Sequence, residues 1–271
     1  MMDLPTNILC CPMCLEGLSI AKGADDSTTA VCTVCERRYP VTEGIANFLP
    51  NPIPSPKGRG QRLMESEWRV KRYESKWWRG GTLFKRYTGV TLDEEIALVK
   101  RIDAAEAADT VLDLACGPGI YTRAFAQDSL GRTVIGVDVS EPMLRRAVDK
   151  AAALDLANIT FIHGDACALP LQDGSVDVAN CCEALHLFTD VQAVLAELGR
   201  VVKPGGRFSA SLAWVGRTPW SHIKAIFDGR FWRMHFFRRE EIEALLDEAG
   251  FEPTVHHAHG IWMIVGGVRR S

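Results

Sequence analysis

No apolar run in this chain reaches the roughly 20 residues that a membrane helix needs, so the sequence predicts no membrane span. The opening Met1-Met2-Asp3-Leu4-Pro5 lacks the basic and apolar regions of a secretion signal. Positive charge is not in excess: 31 Lys and Arg stand against 34 Asp and Glu, for a net charge of -3. That removes the global basic footprint of a nucleic-acid binder and leaves room only for a local patch. What is there is ordinary for a globular protein, with 47% hydrophobic and 24% charged residues. The 271 residues suffice for one α/β domain and a small appendage. Cysteine is the exception. Nine are present, four of them in C-x-x-C pairs, which favours metal binding in a reducing, cytoplasmic setting over disulfides.

The chain is organised around Val111-Leu112-Asp113-Leu114-Ala115-Cys116-Gly117-Pro118-Gly119. Its apolar residues suit a strand covered on both faces. Gly117 and Gly119 let the backbone turn sharply and admit a ligand closely, and Tyr121 to Gln127 reads as the helix that follows. Strand, glycine loop and helix form the layout that binds nucleotides at the carboxyl ends of parallel strands. The third glycine of a dinucleotide fingerprint is absent, because Thr122 stands there. Asp113, an acid ahead of the loop, would repel a pyrophosphate but suits a cationic ligand. A second strand, Thr133 to Asp138, also ends in an acid, 19 residues past Gly119. An acid there accepts hydrogen bonds from ribose hydroxyls.

These residues resemble the motifs of the class I S-adenosylmethionine-dependent methyltransferases. Asp138-Val139-Ser140-Glu141-Pro142-Met143 matches the second motif, and Gly164-Asp165-Ala166 matches the turn after the third strand. The resemblance implies a Rossmann-like α/β fold with a seven-stranded sheet. It also implies cofactor contacts from Asp113, Ala115, Gly117, Gly119, Asp138, Val139, Met143, Asp165, Ala166 and Cys182. Met143 would flank the adenine, and Asp165 would hold its amino group beside the Ala166 amide. Val176 to Asn180 reads as the fourth strand, Lys203-Pro204-Gly205-Gly206 as a tight turn, and 207–213 as the fifth strand. An amphipathic helix from Arg238, stopped by Gly250, precedes strands near 253–259 and 261–268.

Residues 1–50 hold Cys11, Cys14, Cys32 and Cys35, with 17 residues between the two pairs. That spacing fits a structural four-thiolate zinc site, with no coordination position left open for catalysis. So small a module has little core of its own, and metal would supply much of its stability. The proline- and glycine-rich stretch 51–60 reads as a linker and domain boundary, ahead of a domain over 105–271.

Between linker and glycine loop, 61–104 reads as helical, with Thr91 to Glu94 in capping-box form. By the family resemblance this segment covers the active site, making Tyr73, Trp77 and Trp78 candidate substrate contacts. Aromatics mixed with Arg and His over 214–239, among them Trp214, His222 and Arg233, suit a cap over a planar or anionic acceptor. Glu183 and His186 leave the carboxyl end of the fourth strand. Glu183 could bind substrate or take a proton, and His186, titrating near neutral pH, could act as base.

The loop from Glu183 to His186 resembles that of the ubiquinone/menaquinone-biosynthesis-type methyltransferases (methyltransferase type 11). The whole chain is similar to small-molecule methyltransferases that carry an N-terminal zinc ribbon. A carbon or oxygen atom of a small metabolite is therefore the expected acceptor. Two rivals stand beside it. A ribosomal RNA guanine-N1 methyltransferase also pairs a four-cysteine ribbon with this fold, but the net charge and the Ala184-Leu185-His186 loop disfavour it. A protein-binding module that merely retains cofactor is opposed by the intact motifs from Asp113 to Asp165.

Overall fold

The structure, a computed structural model, describes residues 4–23, 27–49, 85–86, 88–216, 218 and 234–271. The linker 51–60 and the side chains Tyr73, Trp77, Trp78, His222 and Arg233 lie outside the described residues. Among those described, no helix is long and apolar enough to cross a membrane.

Strand β5 (Thr110–Leu114) is buried at all five positions, as expected of a strand covered on both faces. It pairs in parallel with β6 (Thr133–Asp138) and β8 (Val176–Cys182). Strand β7 (Ile159–His163) extends the parallel sheet beyond β6, and β9 (Val202–Ala213) extends it beyond β8. β11 (Trp262–Arg269) then runs antiparallel to β9, with β10 (Phe251–His259) outside it. The resulting order, β7-β6-β5-β8-β9-β11-β10, is a seven-stranded body whose strand direction reverses only at β11. Crossover helices α2 (Ile120–Asp128), α3 (Glu141–Ala152) and α4 (Val191–Val201) alternate with the parallel strands. Helix α5 (Arg239–Glu248) leads into β10 after Gly250, which takes the left-handed φ of 86° that stops a helix. Helix α1 (Leu92–Ile102) starts at the expected capping box. The Thr91 amide donates to Glu94 Oε2 at 2.7 Å, and the Glu94 amide donates back to Thr91 Oγ1 at 3.2 Å.

The Lys203-Pro204-Gly205-Gly206 segment departs from expectation. It is an irregularity inside β9, not a turn ahead of it. Val202 pairs with Val176, the register then shifts, and pairing resumes at Arg207 with Val178.

The N-terminal segment also differs from a module set apart by a linker. Strands β1 (Leu18–Lys22), β2 (Thr28–Cys32), β3 (Arg38–Thr42) and β4 (Ile45–Asn47) form an antiparallel meander. β4 then adds in parallel to β7, with Ile45, Ala46 and Asn47 opposite Phe161, Ile162 and His163. One sheet of eleven strands results. A further seam lies alongside, where the Cys10 amide donates to Pro170 O at 3.0 Å and the Gln172 amide donates to Ile8 O at 2.8 Å. The physical reason is burial. The ribbon's Leu9, Leu18, Ala30, Tyr39, Ala46 and Phe48 belong to the same apolar cluster as Ile162, Leu169 and Leu171 of the body. The β7 edge, which would otherwise present unpaired backbone groups, is covered by the same contact.

A shared core predicts shared unfolding. Denaturant should unfold the full chain in a single transition, and Phe48→Ala should lower its stability by about 3 kcal/mol. Two separated transitions, with only the first moved by Phe48→Ala, would show a ribbon that folds by itself.

Candidate active site

The glycine loop lies at the carboxyl end of β5. Ala115 takes φ 54°, Gly117 φ 53° and Gly119 φ 77°. A left-handed alanine costs about 1 kcal/mol and persists only where its surroundings enforce it. The two glycines do different work. A Cβ on Gly117 would meet no atom within 4 Å, so the backbone is bare on the open side. A Cβ on Gly119 would sit 3.1 Å from Ala147 Cβ, so that glycine lets helix α3 pack closely.

Asp138, at the end of β6, fixes the loop. Its Oδ2 accepts the Gly117 amide and its Oδ1 accepts the Ser140 amide, both at 2.8 Å. Among the described residues the buried Ser140 hydroxyl has no hydrogen-bond partner. One residue on, Val139 O lies 3.1 Å from His163 Nε2. In the turn after β7, Asp165 Oδ1 accepts the Cys167 amide at 2.9 Å; Ala166 in that turn and Met143 in α3 are both buried. The loop, Asp138 and the turn at Asp165 thus line the carboxyl ends of three adjacent strands.

Asp113 is not the ligand-facing acid that the sequence predicts. It is 2% exposed. Thr122 Oγ1 donates to its Oδ2 at 2.5 Å, and Asn180 Nδ2 donates to its Oδ1 at 2.8 Å. The strand register extends this into a buried polar row, because Asp113 stands opposite Asn180 and Asn180 opposite Ser209. Ser209 Oγ donates to Asp103 Oδ2 at 2.8 Å, beyond the end of α1. Burial pushes the Asp113 carboxyl up to about 6 against the hydrogen bonds from Thr122 and Asn180, and pushes Asp103 well above the usual carboxylate range. Cys182 adjoins this row, its thiol donating to Asn180 Oδ1 at 3.0 Å.

Glu183 follows β8 in a left-handed conformation, φ 58°, with its amide donating to Ser211 O at 2.8 Å. A non-glycine residue holds this conformation only where its surroundings enforce it. His186 does not titrate near neutrality as the sequence suggests. It is buried, and desolvation lowers its pKa from 6.5 to about 4. Its Nδ1 accepts the Ala213 amide at 3.4 Å, and its ring meets Trp262 edge-on at 5.9 Å. At pH 7 it is a neutral, packed imidazole. Trp214 is buried on the sheet face opposite Trp262, since it packs in the other apolar cluster. The sequence offered no signal for Glu95. It projects from α1 fully buried, and its charge raises the Cys182 thiol in addition to the larger effect of burial.

Four thiols form the second cluster. All four Sγ atoms lie within 4.8 Å of one another. Cys11–Cys35, Cys14–Cys32 and Cys14–Cys35 are separated by 3.6, 3.5 and 3.7 Å. A tetrahedron with zinc–sulfur bonds of about 2.3 Å has edges of about 3.8 Å, so the donor set fits. The Cys35 amide points at Cys32 Sγ, 3.4 Å away, as a donor should toward a ligating sulfur.

Comparison with known proteins agrees with this geometry. Residues 111–206 match the methyltransferase domain family. A chloroplastic methyltransferase of Arabidopsis thaliana is 24% identical over 97% of this chain and 79% of its own. The demethylmenaquinone methyltransferase of Shouchella clausii is 39% identical over 40% of this chain, and the match spans 46% of that enzyme. The solved phosphoethanolamine N-methyltransferase 2 of Haemonchus contortus, in complex with S-adenosylmethionine, superposes with a TM-score of 0.64 at 17% identity. That superposition covers 82% of this chain and 62% of that one. Residues 111–206 are thus a methyltransferase domain, and the fold around them is that of solved S-adenosylmethionine-binding methyltransferases.

The buried acid and imidazole have opposite pH signatures. Below its ordinary value of 6.5, His186 takes up a proton only on unfolding, so it lowers stability as pH falls toward about 4. Asp113, raised from 3.8 to about 6, holds a proton in the fold that the unfolded chain releases, so it lowers stability as pH rises through that window. His186→Gln removes the first effect only. Its melting temperature relative to the parent chain should climb steadily as pH is lowered from 6.5 to 4. A difference independent of pH would mean that the imidazole is open to solvent.

Proposed function

We propose that the carboxyl edge of the sheet binds S-adenosylmethionine and delivers its methyl group to a carbon or oxygen atom of a small metabolite. The observation that carries the cofactor reading is the loop held by Asp138, with a bare Gly117 backbone on its open side and an unpartnered Ser140 hydroxyl beside it. In this reading the Asp138 carboxylate, which already shapes the loop, accepts the ribose hydroxyls. The backbone of Ala115, Gly117 and Gly119 receives the amino-acid end, and Val139 borders the ribose. Met143 packs on the adenine, which Asp165 and the Ala166 amide recognise at its edge. Asp113 acts from beneath, holding Thr122 of α2 and Asn180 of β8 together under the loop. Cys182 closes the same floor.

The cofactor supplies an already activated methyl group, so the protein's task is mainly to place the acceptor in line and keep water out. Glu183, at the strained end of β8, is the better placed of the two candidate catalytic residues to orient an acceptor or take its proton. His186 is buried against Trp262, and its lowered pKa makes it a poor base. Trp214, whose buried indole N–H has no partner among the described residues, stands at the start of the expected cap region. Residues 105–271 form the methyltransferase domain and 1–50 its ribbon, in which Cys11, Cys14, Cys32 and Cys35 hold a structural zinc ion. Nine free cysteines suit a reducing compartment such as the cytoplasm.

The acceptor class is tested by incubating the chain with methyl-labelled S-adenosylmethionine and two fractions of a cell extract, small molecules and total RNA. Label is expected in the small-molecule fraction. Label confined to RNA would instead support the ribosomal guanine-N1 reading.

A further inference from the structure

We infer that the zinc ribbon positions the ribose- and adenine-binding acids, with His163 as the positioning residue that joins the two. This rests on the metal and cofactor assignments made above. The connection is continuous in the structure. Cys11 Sγ lies 3.1 Å from the Tyr39 hydroxyl, which donates to the sulfur when the thiol is a metal-bound thiolate. The Tyr39 ring stacks on Phe48, with centroids 4.6 Å apart and planes 26° apart, and both rings are buried. The Phe48 amide donates to His163 O at 2.9 Å. Asn47, His163 and Asp138 stand opposite one another on three neighbouring strands. His163 then acts twice. Its Nε2 lies 3.1 Å from Val139 O, within the chain between Asp138 and Ser140, and its backbone runs directly into Gly164, whose amide donates to Asp138 O at 3.1 Å.

Four thiolates gathered around one ion fix the knuckles, and the knuckles fix Tyr39 through Cys11. Without the ion the four sulfurs have no common anchor, and a ribbon with so little core of its own loosens. β4 is only three residues long, so its hold on β7 depends on the ribbon behind it. Loss of metal should therefore free the edge of β7, and with it the acid at the end of β6 and the turn at Asp165. The opposite edge of the sheet, β11 and β10, lies six and seven strands from β4 along the sheet order and has no part in this path.

The test uses the full chain. Its zinc content is measured first, and binding of S-adenosylhomocysteine to the metal-loaded chain is measured second by calorimetry. These readings separate failure of the metal or cofactor assignment from failure of the coupling. The chain is then stripped with a chelator, titrated again and reloaded with zinc. Stripping should weaken binding about tenfold, and zinc should restore it. Hydrogen exchange should rise over β4, β7 and 164–166 while β10 and β11 stay protected. His163→Leu should weaken cofactor binding with zinc retained and raise the cofactor KM more than it lowers kcat. His163→Gln, whose amide can still reach Val139 O, should restore both. Unchanged affinity after stripping, or exchange rising equally at both edges, would overturn the proposal.

Discussion

The candidate site depends on the two amide hydrogen bonds accepted by Asp138. One fixes Gly117 and the other fixes Ser140, so a single carboxylate at the end of β6 sets the shape of the loop after β5 and the start of α3. That arrangement allows Ala115 to hold a left-handed conformation that a free chain would avoid. Beneath it, Asp113 does for the strands what Asp138 does for the loop. It bridges α2 and β8 through Thr122 and Asn180, and the row continues through Ser209 to Asp103 at the end of α1. A buried row hydrogen-bonded from strand to strand in this way admits few alternative registers among β5, β8 and β9.

The N-terminal ribbon changes what the sheet is. In a seven-stranded body β7 is an edge. Here it is interior, because β4 joins it in parallel and the ribbon's apolar residues merge with those of the body. The ribbon therefore continues the sheet at the β7 edge, next to the strand that ends in the turn at Asp165.

What could be read from the sequence was local. The glycine loop, the acids at strand ends, the Thr91–Glu94 cap and the cysteine spacing are each set within a few residues, and the structure forms each where the sequence places it. What could not be read depends on distant pairings. Asp103 and Ser209 carry no motif, and they meet only because the register of β8 and β9 is fixed. Glu95 looks like one more charge in an amphipathic helix, yet it lies on the buried face of α1. His186 has the right residue type and the right strand end for a base, but burial, invisible in a linear motif, takes its proton away at neutral pH. The docking of β4 on β7 was hidden for the same reason. A three-residue strand gives almost no periodic signal, and its partner lies more than 100 residues away.

The central claim is that the loop governed by Asp138 is a cofactor site, and calorimetric titration with S-adenosylmethionine addresses it most directly. The parent chain should bind one equivalent, and Asp138→Ala should show no measurable binding while keeping the parent's circular dichroism. Equal affinity in the two chains, or no binding by the parent, would contradict it.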